Sequence, residues 1–104
     1  FVKLIISKHL KLFSGISMKI SEKELRNKAR FFRALGDVTR LKILFLLLEG
    51  EKCQCGIISK VGLSQPTVSR HLQILVDNGL LTFRREGNKR IYSLTKTARS
   101  IVQS

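Results

Sequence analysis

Acidic residues are scarce in this chain. Seven Asp and Glu stand against twenty Lys and Arg, which leaves a formal net charge of +13 over 104 residues. A small domain this basic meets a polyanion, most commonly nucleic acid; an anionic membrane surface or plain solubility are the competing explanations. Histidine is scarce as well. With two His and few acids, no nucleophile, base and orienter can be assembled, so the chain does not read as an enzyme. The longest apolar run, Ile43 to Leu48, falls far short of the roughly 20 residues that a membrane-spanning helix needs. Phe1 to Phe13 is basic and apolar but lacks the continuous apolar core and small-residue cleavage site of a signal peptide. The expectation is a cytoplasmic protein without a membrane span. In that compartment its two cysteines read as thiols with a task, or as inert core residues, rather than as a structural disulfide.

What the chain does have is one short stretch with both ends marked, Leu63 to Leu80. Ser64 is placed to cap a helix, and Pro66 falls in its first turn, where a missing N–H costs little. Asn78-Gly79 supplies the stop. Val68, Leu72, Leu75 and Val76 recur at helical spacing and define a buried stripe. At about 100° per residue, Thr67, Arg70, Gln73 and Asp77 lie opposite, with Ser69 and His71 on the flanks. Arg can fork onto guanine, Gln can pair with adenine, and Ser or Thr can reach phosphate or base. Taken alone, this is any surface helix; its neighbours point further.

Residues 1–17 support two readings: a helix that docks on a partner or membrane, or an extension upstream of Met18, the only methionine. Residues 18–104 read as one domain. Ser21 and Glu24 fit a capping box, and the following helix places Leu25, Ala29, Phe32 and Leu35 on one face, an apolar excess that suggests a dimer contact. Asp37 caps a second helix, Val38 to Glu49, closed by Gly50 and apolar on more than one face. A brief helix with Ile57, Ile58 and Val61 then turns at Gly62-Leu63 into the marked helix, forming a helix-turn-helix. Leu80 to Arg85 and Arg90 to Leu94 alternate as two strands around Gly87-Asn88. Arg84, Arg85, Lys89 and Arg90 make this hairpin a cationic wing. Thr95 to Ser104 reads as a short helix, with Ala98, Ile101 and Val102 packing on the first helix or a second subunit. The fold class is therefore mostly α with a small β-hairpin, a winged helix-turn-helix. The candidate DNA contacts are Ser64, Gln65, Thr67, Ser69, Arg70, His71, Arg84, Arg85, Lys89 and Arg90.

The runs Phe32 to Leu44, Ser64 to Leu72 and Arg84 to Leu94 resemble the ArsR/SmtB family of winged-helix repressors, in order and without large gaps over about residues 22 to 96. The resemblance implies a homodimer that binds a palindromic double-stranded operator and leaves it when a metal or other inducer binds. It matches Gln65, Thr67, Ser69, Arg70 and His71 to the operator-reading helix, and Lys89 and Arg90 to the wing. Two departures stand out. The zinc site on the family's last helix uses Asp and His pairs, and Thr95 to Ser104 contains neither. Cys53-Gln-Cys55 falls where the arsenic and cadmium sensors carry Cys-x-Cys, but Ile58 replaces the third Cys of the arsenic type.

Two cysteines two apart project about 200° from each other on a helix but share a side in an extended segment, and Gly50 and Gly56 bracket such a start. As thiolates they would favour a thiophilic ion such as arsenite, cadmium or copper(I), with the remaining coordination from a small thiol, water or His9. Equally, they read as apolar packers or a redox pair. Three functions are carried forward: an inducible DNA-binding repressor, an architectural winged-helix nucleic-acid binder that senses nothing, and a membrane-surface adaptor using residues 1–13.

Overall fold

The computed structural model describes residues 19–103. Over these the chain runs α1 (Glu22–Leu35), α2 (Val38–Leu46) with a 3-10 turn (Leu47–Glu49), β1 (Lys52–Cys53), α3 (Gln54–Val61), α4 (Gln65–Asp77), β2 (Leu81–Glu86), β3 (Lys89–Leu94) and α5 (Lys96–Val102). The readings of residues 1–17, and of His9 among them, lie outside the described residues. Among the described residues, no helix is long and apolar enough to cross a membrane.

Each long helix begins where a side-chain oxygen meets a free backbone N–H. Ser21 accepts from Glu24 N, Asp37 from Arg40 N and Ser64 from Thr67 N. Only one half of the expected capping box forms, because the Ser21 hydroxyl points toward Glu24 Oε1, 3.4 Å away. The second helix stops sooner than its apolar pattern suggests. Regular α-helix ends at Leu46, and the chain tightens through the 3-10 turn to Gly50, whose φ of 135° reverses its direction.

The core lies between α2, α3, α4 and the sheet. Of the expected stripe of α4, Val68, Leu72 and Leu75 are fully buried, each worth about 1.5–3 kcal/mol relative to exposure, and Val76 is half-buried against them. They meet Ile43, Leu44 and Leu47 from the second helix and its turn, Ile57 from α3, and Leu80 and Leu81 at the entry to the wing. The α1 helix turns Ala34 inward, with Phe31 and Leu35 packed beside it, and leaves Phe32 65% exposed. Of the residues expected on its apolar face, Leu35 packs on this core, whereas Ala29 and Phe32 are exposed. The last helix buries Ala98 and Val102 against α2 and β3. Val102, expected on the first helix or at a second subunit, is thus buried within the chain against α2 and β3.

The hairpin has the expected turn, with Arg85 opposite Arg90 and Glu86 opposite Lys89. It gains an unexpected third strand: β1 pairs antiparallel with β3, Lys52 opposite Tyr92 and Cys53 opposite Ile91, giving the order β1-β3-β2. This ties the start of α3 to the base of the wing.

Candidate nucleic-acid interface

The N-terminal half of α4 stands out from the body of the molecule. Ser64 caps it and donates to Thr67 Oγ1 at 2.9 Å, so both hydroxyls take part in the cap itself. Gln65, Thr67 and Arg70 are exposed, and Arg70 makes no hydrogen bond or ion pair with another described residue. Farther along, Gln73 donates to Asp77 Oδ1 at 2.7 Å, which occupies the amide that would otherwise face a base.

Two candidates on the flanks turn inward instead. Ser69 is half-buried and accepts from Gln54 Nε2 of α3, fixing the angle between the two helices of the helix-turn-helix. His71 Nδ1 lies 3.1 Å from Arg40 Nη1 and 4.0 Å from Asp37 Oδ1. Arg40 continues inward, donating from Nε to Ala34 O at 2.8 Å and from Nη2 to Arg33 O at 3.0 Å. Arg40 therefore ties the end of α1 to the reader helix through the start of α2. Neither Arg40 nor Gln54 stands out in the sequence, because each meets a partner many residues away.

The wing cations divide in a similar way. Arg84 donates from Nη1 to Glu51 Oε2 at 2.6 Å and from Nη2 to Glu86 Oε2 at 2.5 Å. The bond to Glu51 is the chief cause that raises its pKa above the ordinary arginine value. Arg84 thus braces the hairpin against the segment before β1. Arg90 lies over the Phe83 ring, 4.8 Å from its centroid. Arg85 and Lys89 are exposed. Arg85, Lys89 and Arg90 border one cleft together with Gln65 of the reader helix. Of the candidate cations, Arg70, Arg85, Lys89 and the partly covered Arg90 have no acidic partner among the described residues.

The cysteines depart from expectation. Cys53 and Cys55 are joined in a disulfide, where the sequence favoured thiols. The reason is local. Cys53 ends β1 in extended backbone and caps α3, accepting from Gly56 N at 3.1 Å, while Cys55 sits in the first turn that this cap begins. The strand-to-helix junction brings their Cα atoms to 5.3 Å, within the usual span of a disulfide. Bonded to each other, the sulfurs do not fit a metal ion. No cluster of three or more His, Cys, Asp or Glu that could hold one occurs among the described residues.

Known proteins agree with this geometry. The family described as "Bacterial regulatory protein, arsR family" matches residues 37–82, from the cap of α2 to the start of the wing. An arsenical resistance operon repressor of Staphylococcus xylosus is 45% identical over 75 residues, 72% of this chain and 69% of that protein. A probable mercury resistance operon repressor of Streptomyces lividans is 52% identical over 66 residues, 64% of this chain, which spans only 53% of that longer relative. Among solved structures, the homodimeric winged helix-turn-helix DNA-binding domain of a possible ArsR-family regulator from Mycobacterium bovis superposes with a TM-score of 0.70 at 32% identity, covering 83% of this chain and 86% of that one. With the cap of α2 and the reader helix inside the family match, and with more than two thirds of the Staphylococcus xylosus repressor covered at 45% identity, the chain belongs to the ArsR family of winged helix-turn-helix transcription repressors.

Proposed function

We propose that the chain is a sequence-specific DNA-binding repressor, acting in the cytoplasm as a homodimer that lays α4 in the major groove and the wing along the adjacent backbone. The observation that carries this reading is the exposed face of α4, with Gln65, Thr67 and the free guanidinium of Arg70; Gln65, the first residue of that helix, shares a cleft with the wing cations Arg85 and Lys89. The first set suits base edges and the second suits phosphates. A dimer is supported by the 65% exposure of Phe32 on α1 and by the homodimeric state of the Mycobacterium bovis neighbour.

The relatives named for mercury, arsenical and cadmium resistance suggest a thiophilic inducer. Such an ion would require Cys53 and Cys55 in the dithiol form together with donors from elsewhere.

The test is a footprint on the DNA upstream of the chain's own gene, set against random duplexes at one fixed salt concentration. The expected result is protection of a two-fold symmetric site, with affinity roughly 10³-fold or more above random DNA. Equal affinity for both would replace this reading with that of an architectural winged-helix binder.

A further inference from the structure

The disulfide does not lie in the core. It forms one wall of an open cleft of about 320 Å³, bounded by Gln54 and by the wing residues Arg85, Lys89 and Arg90. That volume lies within the range of small-molecule sites. Three cations lining the same cleft as a disulfide is a pairing that DNA binding alone does not require. We propose that this cleft binds a carboxylate-bearing low-molecular-weight thiol, which opens the disulfide by forming a mixed disulfide with Cys55 and screens the wing cations.

The two sulfurs are not equivalent. Cys55 is exposed, whereas Cys53 is half-buried and accepts the Gly56 N–H. A thiolate entering the cleft attacks Cys55 Sγ. A bond forms between the two sulfurs, the Cys53–Cys55 bond breaks, and its electron pair leaves on Cys53 Sγ. The displaced Cys53 thiolate stays at the N-terminus of α3, where the Gly56 N–H and the helix dipole stabilise a negative sulfur and make it the better leaving group. No outside oxidant or reductant is needed, because the exchange conserves one disulfide and one thiolate. The carboxylates of the bound thiol then lie among Arg85, Lys89 and Arg90, in competition with phosphate oxygens. This last consequence rests on the DNA-binding reading; the exchange itself does not.

The experiment reads the exchange without DNA. The disulfide form is mixed with glutathione, which is anionic, or with neutral 2-mercaptoethanol, at matched thiolate concentrations, and quenched with iodoacetamide. The expected result is glutathione on Cys55, carbamidomethyl on Cys53, and a rate at least about fivefold above that of 2-mercaptoethanol. Added salt, or Arg85→Ala with Lys89→Ala, should remove that advantage. Adduct on Cys53, or equal rates for the two thiols, would overturn the site.

A second arm uses Cys53→Ser, which keeps a good helix cap and leaves Cys55 as the only attachment point. Loading Cys55 with glutathione should lower DNA affinity about tenfold, while a 2-mercaptoethanol adduct should leave it nearly unchanged. Equal effects from both adducts would overturn the screening role. Failure of the unloaded protein to bind DNA at all would instead count against the function proposed above, with the exchange result standing by itself.

Discussion

Arg40 Nη1 lies 3.1 Å from His71 Nδ1 and joins the start of α2 to the middle of the reader helix. A guanidinium carries only donors, so this contact requires Nδ1 as the acceptor and the ring proton on Nε2. The same guanidinium satisfies the carbonyls of Ala34 and Arg33 at the end of α1. His71 is 17% exposed in its side chain, and its ring lies at the junction of three helices.

His71→Ala should therefore act on stability first. Loss of one partner of a charge-assisted, partly buried hydrogen bond costs about 1–2 kcal/mol. Urea denaturation should show that loss, while the folded protein keeps its preference for the operator over random DNA. Unchanged stability together with relaxed operator preference would return His71 to the reading face.

Arg70, Lys89 and Arg84 should separate into three behaviours. Arg70→Ala removes a free guanidinium from the reading face and should lower specific affinity by about 1–3 kcal/mol, relaxing discrimination at one base position. Lys89→Ala should weaken operator and random DNA alike and flatten the salt dependence. Arg84→Ala breaks the brace to Glu51 and Glu86, so it should leave those two acids beside the wing and weaken binding without altering sequence preference. Fluorescence anisotropy across a salt series, on operator and random duplexes, distinguishes the three. Intact operator preference in Arg70→Ala would mean that this side chain does not read a base.

The parts legible in the sequence are those whose physics is local. Caps at Ser21, Asp37 and Ser64 act across three residues, and the stop at Asn78-Gly79 needs only a residue free to take φ of 71°. The buried stripe of α4 follows from its period, and Val68, Leu72 and Leu75 are fully buried. What stayed hidden is non-local. Ser69, His71 and Arg84 look like ligand-facing polar residues until Gln54, Arg40 and Glu51 arrive from 15, 31 and 33 residues away. A two-residue strand such as β1 leaves no periodicity to read, and the pairing of Cys53 with Cys55 depends on the junction that this strand creates. Which of the adjacent Phe31 and Phe32 turns toward the core was not legible on α1, because only packing decides it.

Phe32→Glu tests the dimer. Its ring meets Phe31 edge-on, with centroids 5.7 Å apart, yet most of its surface is left open on α1. A two-fold dimer sets its reader helices about 34 Å apart on one face of DNA, which a monomer cannot do. A charge at this exposed position should convert the protein to a monomer in sedimentation at micromolar concentration and reduce operator affinity. The fold should persist, since exposed substitutions cost within about 0.5 kcal/mol. A dimer that survives Phe32→Glu would place the contact elsewhere.

Asp37 carries a pH signature. Its Oδ1 accepts the Arg40 N–H at 3.0 Å, and that bond is the chief cause holding its pKa below the ordinary 3.8; the charge of Arg40, and that of His71 once protonated, add to it, while partial burial opposes it. The folded-state value is therefore lower than the unfolded one. A carboxylate shifted in this direction contributes stability that is fully present above 3.8 and is lost as the pH falls through the folded-state value. Asp37→Asn keeps a side-chain oxygen of equal rank as a cap but removes the titration, whereas Asp37→Ala removes the cap at every pH, at about 1 kcal/mol. Urea denaturation near neutral pH should place the native protein at or above Asp37→Asn, with Asp37→Ala below both. Repeated at progressively lower pH, the native protein should lose its margin over Asp37→Asn within the acid range below 3.8. A margin that stays constant throughout that range would show that the Asp37 charge contributes nothing and that the cap works through its hydrogen bond alone.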